Sequence, residues 1–494
     1  MNAAEEQRAL LLRVARDAMV QYGLEPDFPP PALAEARSLP DAAPRDESAA
    51  DLRDLPWCSI DNDDSLDLDQ LTVAREADGA RTVVLVAVAD VSETVRPGSA
   101  LDKHAGTNTT SVYTPGHIFP MLPDRLSTDL TSLNPDEDRL AVVVEMTVDA
   151  EGAVTAESIS RGLVHNHAKL AYSKVGPWLE GVAGMPERVA GVPGLAENLR
   201  LQDAAAQRLR ARRHEHGALE LETIEVHALF DGDTVSGLSA DRKDRAKQLI
   251  EDLMIAANGA VARSLAAAKF PVMRRVVRSP ERWQRIVDLA ATLGAALPEE
   301  PDAPALNAFL TARKEADPER FPDLSLSIIK LLGRGEYAVN RPGQKLDGHF
   351  GLAVSEYAHS TAPNRRYPDV ITQRLVKAAL AGAKPPYSGE RLDELAEHCT
   401  TQEDGAQKVE RRVRKSAAAC YLAGREGEVF DGLVTGASAK GTWVRALDPP
   451  VEGKVVEGAD GLDVGDEVKV RLLEVDPERG FIDFASLRDG SEVH

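Results

Sequence analysis

Cysteine is scarce: the 494-residue chain holds three, Cys58, Cys399 and Cys420. Three scattered thiols cannot form a disulfide framework or a zinc ribbon. They read as small buried apolar side chains of a protein in the reducing cytoplasm. Long apolar runs are also missing. The best, Val83 to Ala89, has the length of a strand and falls far short of a membrane span. The amino terminus carries Glu5 and Glu6 where a signal peptide would have a basic region and an apolar core, so none is expected. Positive charge is the minority, 58 Lys and Arg against 80 Asp and Glu, for a net of −22. That argues against a broadly basic nucleic-acid coat, yet it is compatible with a basic channel inside an acidic shell, because the local field decides. There is no Gly-x-x-x-x-Gly-Lys-Ser/Thr loop for ATP-driven work and no Gly-x-Ser-x-Gly elbow. No period of about 20–50 residues repeats, which excludes a solenoid.

What is present is a globular composition, 43% hydrophobic, on a length suited to about two to four domains. Residues 4–22 predict an amphipathic helix with Leu10, Leu11, Val14, Ala15 and Met19 on one face, and Gly23 as its stop. A second short helix over Ala32–Ser38 and a linker over residues 39–50 complete a small helical appendage, residues 1–53, with a helix-turn-helix as one reading. Leu71–Arg75 and Arg81–Ala89 predict a hairpin whose second strand is apolar enough to be central in a sheet. Leu140–Val148 predicts a further strand. Residues 200–425 read as mostly helical, with helices over about 243–267, from Ser279-Pro280 onward, and over about 366–382 and 388–423. After Gly427 five short alternating segments, 429–434, 441–446, 453–456, 467–475 and 481–486, predict a small barrel of OB type. The expected fold is therefore α+β and multidomain: helical appendage 1–53, large α/β domain 54–425, and β-barrel 426–490.

The chemistry concentrates in Ser59-Ile60-Asp61-Asn62-Asp63-Asp64-Ser65-Leu66-Asp67-Leu68-Asp69-Gln70, five aspartates within nine residues. Like charges this close raise one another's pKa and destabilise the fold. A bound hard cation relieves that, and Mg²⁺ prefers oxygen ligands; a solvated acidic loop is the competing reading. A calcium loop is rejected, since Leu66 stands where glycine is needed and Thr72 where glutamate is. His165-Asn166-His167 and His214-Glu215-His216 invite a zinc reading but lack a third ligand at local spacing.

Cationic runs recur at Arg208–Arg213, Arg242–Lys247, Arg274–Arg278, Arg365-Arg366 and Arg411–Lys415. Each alone could be a solvated helix face. Several beside an acidic cation site suit phosphodiester chemistry, in which arginines track the backbone and carboxylates hold metal.

At this point the residues resemble the RNB family of exoribonucleases. Asp61, Asp67 and Asp69 sit at the spacing of its catalytic motif. Val88–Ser92, Pro97–Asp102, Thr110–Tyr113, Pro120–Ser127 and Leu249–Asn258 are similar to further RNB segments. Ala362-Pro363-Asn364-Arg365-Arg366-Tyr367 resembles the arginine motif, where serine-proline-isoleucine-arginine-arginine-tyrosine is more usual. The likeness covers about residues 54–425, and 427–487 is similar to an S1-type RNA-binding barrel. The resemblance implies a Mg²⁺-dependent, processive 3′→5′ exoribonuclease that acts on single-stranded RNA 3′ ends and releases nucleoside 5′-monophosphates. It implies Asp61 and Asp69 as metal carboxylates and Asp67 as a further carboxylate that holds metal or orients the terminal nucleotide. It implies Arg365 against the scissile phosphate, beside Arg366, Tyr113 stacked on the 3′-terminal base, and Glu410 near the RNA end. A monomer and no membrane partner are expected.

Three features depart from the family pattern. Gln70 stands where an aspartate usually ends the motif, and its neutral oxygen is a weaker metal ligand. The short amino-terminal region leaves no room for paired cold-shock barrels. The barrel is acidic, with 7 basic against 15 acidic residues over 426–490. Phe430, Trp443, Lys440 and Arg445 are its candidate RNA-facing residues. An RNA-binding protein disabled by Gln70 is the alternative function, and a DNA nuclease a third.

Overall fold

The computed structural model describes residues 3–41, 46, 48–241, 243–318, 320–344, 348–438 and 440–487. Part of the expected linker (42–45 and 47), Arg242 and residues 488–490 of the expected barrel lie outside the described residues. The fold is a mixed helix and strand architecture: a helical amino terminus, a large α/β domain and a carboxy-terminal closed barrel.

Helix α1 (Ala3–Gln21) buries Leu11, Val14, Ala15, Ala18 and Met19, the stripe that a 3.6-residue period dictates. Gly23 adopts φ +76° just beyond it, a conformation glycine takes without steric cost. Helix α2 (Pro30–Ser38) opens on prolines in its first turn, where no amide donor is needed.

The large domain is built on a seven-stranded sheet in the order β1-β8-β7-β4-β3-β2-β9. Its strands are β1 (Ala50–Asp51), β2 (Cys58–Asp61), β3 (Gln70–Ala77), β4 (Arg81–Ala89), β7 (Asp138–Val148), β8 (Val154–His165) and β9 (Ala168–Ala171). A separate two-stranded hairpin, β5 (Val112–Thr114) and β6 (His117–Phe119), lies between them in sequence. β4 is central, and every residue from Thr82 to Ala89 is buried. The β1–β8 and β2–β9 pairs are parallel; β2–β3, β3–β4, β4–β7 and β7–β8 are antiparallel. The helices Leu195–Glu215 and Arg245–Ala267 pack against this sheet.

The region expected to be mostly helical also holds strands. β10 (Glu225–Asp231) and β11 (Thr234–Asp241) form a hairpin, and β12 (Val272–Val276) pairs with β13 (Glu336–Asn340). The helix expected from Ser279 begins only at Trp283, because Pro280 and Trp283 first close a turn through a 3.2 Å backbone hydrogen bond.

The 34-residue helix Gly389–Leu422 is the spine of the molecule. Its first turns (Leu392, Leu395, Ala396, Cys399) join the sheet core. Its middle (Ala406, Val409, Val413, Ala417) packs on α1 and the β5–β6 hairpin. Its last turn (Ala419, Leu422) reaches the barrel core. The barrel closes in the order β14-β15-β16-β18-β17, from β14 (Val429–Ser438), β15 (Gly441–Ala446), β16 (Glu452–Glu457), β17 (Glu467–Asp476) and β18 (Phe481–Leu487). Among the described residues no helix is long and apolar enough to cross a membrane. All three cysteines are free and buried.

Candidate active site

The aspartate stretch leaves the sheet at the end of β2 and returns to it at the start of β3. Leu68, 2% exposed, is the pivot: it packs into the main core between Asp67 and Asp69. Three segments far apart in sequence are laced together there. The Leu68 N–H donates to Ser132 Oγ (2.9 Å), and Ser132 Oγ donates to the Leu66 carbonyl (2.8 Å). Fully buried Asn364 accepts from Thr131 Oγ1 (2.6 Å) and donates to the Thr131 carbonyl (3.0 Å). Its backbone N–H donates to Asp69 Oδ1 at 2.9 Å. Asn364 stands where the family resemblance has an apolar residue, and its buried polarity is satisfied locally by Thr131. The arginine loop is joined in turn to the β5–β6 hairpin, since the Ser111 N–H donates to the Arg365 carbonyl (3.0 Å).

These laces bring Asp61, Asp67, Asp69, Arg365, Tyr113 and Glu410 to one place. Arg365 Nε lies 3.6 Å from Asp69 Oδ2, with the guanidinium half exposed and the carboxylate 4% exposed. The Tyr113 hydroxyl donates to Asp67 Oδ2 at 3.4 Å, and the Tyr113 N–H donates to Glu410 Oε1 at 3.0 Å. Tyr113 is 39% exposed, so part of the residue is open to a ligand. Asp63 and Asp64 are exposed on the outside of the loop. Gln70 opens β3 opposite Val88.

The electrostatics follow from burial. Loss of water pushes the Asp69 carboxyl up to about 7, against the lowering pull of Arg365 and the Asn364 amide and with Asp67 adding repulsion. Asp67 and Asp61 are raised for the same leading reason; Arg365 opposes both shifts, and Asp61 adds to that of Asp67. Burial also raises the Tyr113 phenol, which keeps it a neutral donor.

Among the described residues, no three His, Cys, Asp or Glu side chains converge into a ready-made metal centre. His165 is held by Asp138 (2.7 Å) and His167 by the Arg53 carbonyl (2.9 Å), so the zinc alternative finds no support in these histidines. Asp61, Asp67 and Asp69 do not close into such a centre either, yet they form an oxygen-only donor set, buried or part-buried and mutually repelling. That chemistry fits Mg²⁺, which binds through one or two carboxylates and keeps several waters.

Other expected residues lie elsewhere. Arg366 is turned inward, donating to fully buried Asp369 at 2.8 Å, with 19% of its side chain exposed. Phe430, 6% exposed, packs edge-on to Phe484 in the barrel core with ring centroids 6.2 Å apart. It is therefore not on the RNA-facing surface expected of it. Arg445 is tied to Asp323 of the helix Phe321–Leu332. Trp443 is half-buried and Lys440 exposed. Tyr172 was missed by the sequence reading. It follows β9, whose Ala171 pairs with Asp61, and its phenol feels the charges of Asp61 and Arg365. Its only sequence signal was position after an unrecognised strand. A cavity of about 390 Å³ between the helices Leu195–Glu215 and Arg245–Ala267 lies apart from this site, and its charged lining is paired internally, as in Arg245 with Asp203.

The sheet, the laced carboxylates and the appended barrel define a class, and comparison bears this out: the RNB domain model matches residues 49–382. The model of the RNase II-type exonuclease C-terminal S1 domain matches residues 428–487. The chain belongs to the RNB family. It is 31% identical over 490 residues to ribonuclease R of Escherichia coli strain K12, over 91% of this chain and 59% of that protein. It is 30% identical over 502 residues to ribonuclease R of Aquifex aeolicus, over 95% of this chain and 70% of that protein. The chain thus spans less than two thirds of the length of the Escherichia coli relative. Its fold is similar to that of Mycoplasma genitalium RNase R in complex with ribose methylated single-stranded RNA, with a TM-score of 0.86, 22% identity, and 96% of this chain and 77% of that one covered.

Proposed function

We propose that this protein is a hydrolytic 3′→5′ exoribonuclease that degrades single-stranded RNA processively to nucleoside 5′-monophosphates, as a cytoplasmic monomer using Mg²⁺. The observation that carries the reading is the convergence of Asp67 and Asp69 with Arg365 and a half-open Tyr113. A carboxylate pocket suited to a cation, a half-exposed guanidinium and an aromatic side chain together suit a terminal phosphodiester. In the complete reaction water adds to phosphorus and the P–O3′ bond breaks. The released nucleotide keeps the phosphate on its 5′ carbon, and the shortened RNA regains a 3′ hydroxyl.

Asp61, Asp67 and Asp69 would hold Mg²⁺, which supplies charge neutralisation and a more acidic water when bound. Arg365 would offset charge that grows on the non-bridging phosphate oxygens. Tyr113 offers its ring to the terminal base, and every base has a π-face, so stacking suits an enzyme that accepts all four. Glu410 fixes the Tyr113 backbone. Trp443 and Lys440 offer a smaller RNA-facing patch on an otherwise acidic barrel.

Gln70 favours a second reading, an RNB protein that binds RNA without cutting it. Incubation of 5′-labelled single-stranded RNA and DNA with Mg²⁺, wild type beside Asp69→Asn, separates these. A ladder of 3′-shortened RNA that the variant does not produce supports the exoribonuclease. RNA bound but intact supports the second reading, and shortened DNA would indicate a DNA nuclease.

A further inference from the structure

The β5–β6 hairpin that carries Tyr113 has strands of only three residues each. A two-stranded ribbon this short has no stability of its own in water. What holds it comes from elsewhere. Its inward residues, Val112 and Phe119, are buried in a core shared with Leu11, Val14 and Ala18 of α1. Its outward residues, Tyr113 and Ile118, are direct cross-strand partners, 39% and 52% exposed. They form one apolar platform beside Asp67.

The tip of the hairpin is gripped by Arg8 of α1. Arg8 Nη1 donates to the Gly116 carbonyl at 3.3 Å, and Nη2 donates to the Gly232 carbonyl in the β10–β11 turn at 2.9 Å. Nε lies 2.8 Å from Asp233 Oδ1. The guanidinium sits 4.8 Å from the centre of the Phe230 ring. Gly116 itself has φ +81°, and a Cβ there would come 3.2 Å from Phe230 and 3.8 Å from Arg8 Cγ. The turn is thus enclosed between the ring and the arginine stem. A planar fork can donate to two separate carbonyls while its charge lies against the Asp233 carboxylate; a lysine ammonium, a compact point charge, cannot span them.

We infer that Arg8 is a positioning residue for the RNA 3′ end, bracing the hairpin so that the Tyr113–Ile118 platform stays aligned with Asp67 and Asp69. Arg8 acts in this way only if Tyr113 receives the terminal base, the reading proposed above. It touches none of Asp61, Asp67, Asp69 or Arg365 among its described contacts, so its effect falls on seating of the RNA end and not on the bond-breaking step.

The test uses the full chain with Arg8→Ala, Arg8→Lys, Tyr113→Ala and the Arg8→Ala/Tyr113→Ala pair. Each is assayed on 5′-labelled single-stranded RNA. Each is also placed in an Asp69→Asn background and titrated with RNA carrying 2-aminopurine at its 3′ end, whose fluorescence is quenched by stacking. Arg8→Ala is expected to raise KM about five- to tenfold, short of the loss on removing the ring itself, with kcat within about twofold and weaker quenching. Arg8→Lys should behave like Arg8→Ala. The paired variant should match Tyr113→Ala alone, because Arg8 works through the platform. Wild-type KM and quenching in Arg8→Ala, or a paired variant whose defect is the product of the two single defects, would overturn the inference. Wild type that binds RNA without shortening it defeats the exoribonuclease reading, and the quenching series still decides on Arg8. RNA neither bound nor shortened overturns both.

Discussion

The Asn364 N–H donates to Asp69 Oδ1 at 2.9 Å across 295 residues of chain. The arginine loop and the aspartate stretch are therefore one structural unit, and Arg365 approaches Asp69 because its neighbour is already bonded there. A carboxylate held this firmly, with its side chain 4% exposed, is costly to ionise.

Asp69→Asn keeps an acceptor for the Asn364 amide and removes the buried charge. Its melting temperature in a chelator should equal or exceed that of wild type. Mg²⁺ should raise the melting temperature of wild type and have a smaller effect on the variant, since a ligand that binds only the folded state stabilises it. RNA shortening should fall by about 10²-fold or more, as for loss of a major electrostatic group. Equal Mg²⁺ stabilisation of both proteins would remove Asp69 from the metal site.

Adjacent arginines should separate cleanly. Arg365→Ala, at an exposed guanidinium, should leave stability within about 0.5 kcal/mol and lower kcat by about 10²- to 10³-fold. Arg366→Ala leaves Asp369 buried without its cation and should cost about 3–5 kcal/mol. Denaturant melts of both, beside kinetics at a temperature where both are folded, check this. A stable Arg366→Ala would show that Asp369 does not need the pair.

The barrel offers a similar contrast. Phe430→Ala should destabilise by about 3–5 kcal/mol, the cost of emptying a core aromatic site. Trp443→Ala should leave the melt nearly unchanged and weaken RNA binding by about five- to tenfold through lost stacking. Filter binding with Asp69→Asn as the background isolates the second effect from cleavage.

His349 predicts an acid-labile segment. Its Nδ1 accepts from the Leu352 N–H at 3.2 Å, which requires that nitrogen to be unprotonated. Burial, with Arg275 adding repulsion, pulls its pKa down to about 4 from 6.5. A histidine with a folded pKa below its unfolded value stabilises only while neutral. That contribution is complete above about pH 6.5 and is lost as pH falls toward about 4. It amounts to about 3 kcal/mol at most. His349→Gln should flatten the fall in melting temperature over that window; an unchanged slope would mean the imidazole protonates freely in the folded state.

Several features were legible in the sequence because they are local. The barrel strands follow from alternation broken by Gly, Asp and Pro, and α1 from its i, i+3, i+4 stripe. The aspartate spacing fits within nine residues. β8 was not legible: its residues alternate between exposed and part-buried, with little apolar contrast along most of its length. β12 and β13 escaped because each is five residues long and its partner lies some sixty residues away, with helices between. Phe430 and Trp443 looked alike as aromatics on strands, and only barrel closure decides which one faces in.

By itself the sequence determined which groups are available: an oxygen-rich anionic stretch, an arginine pair, a tyrosine beside a Pro-Gly turn, and a carboxy-terminal barrel. Tertiary structure alone decided which of them meet. Arg366 has extended backbone, φ −138° and ψ 120°, and neighbouring side chains on extended chain point to opposite sides. That places Arg365 beside Asp69 and Arg366 beside Asp369. The Asn364–Asp69, Tyr113–Glu410 and Arg8–Gly116 contacts link residues 108 to 297 positions apart. No periodicity reaches that far, because such contacts are set by how whole elements pack and not by the residues beside them.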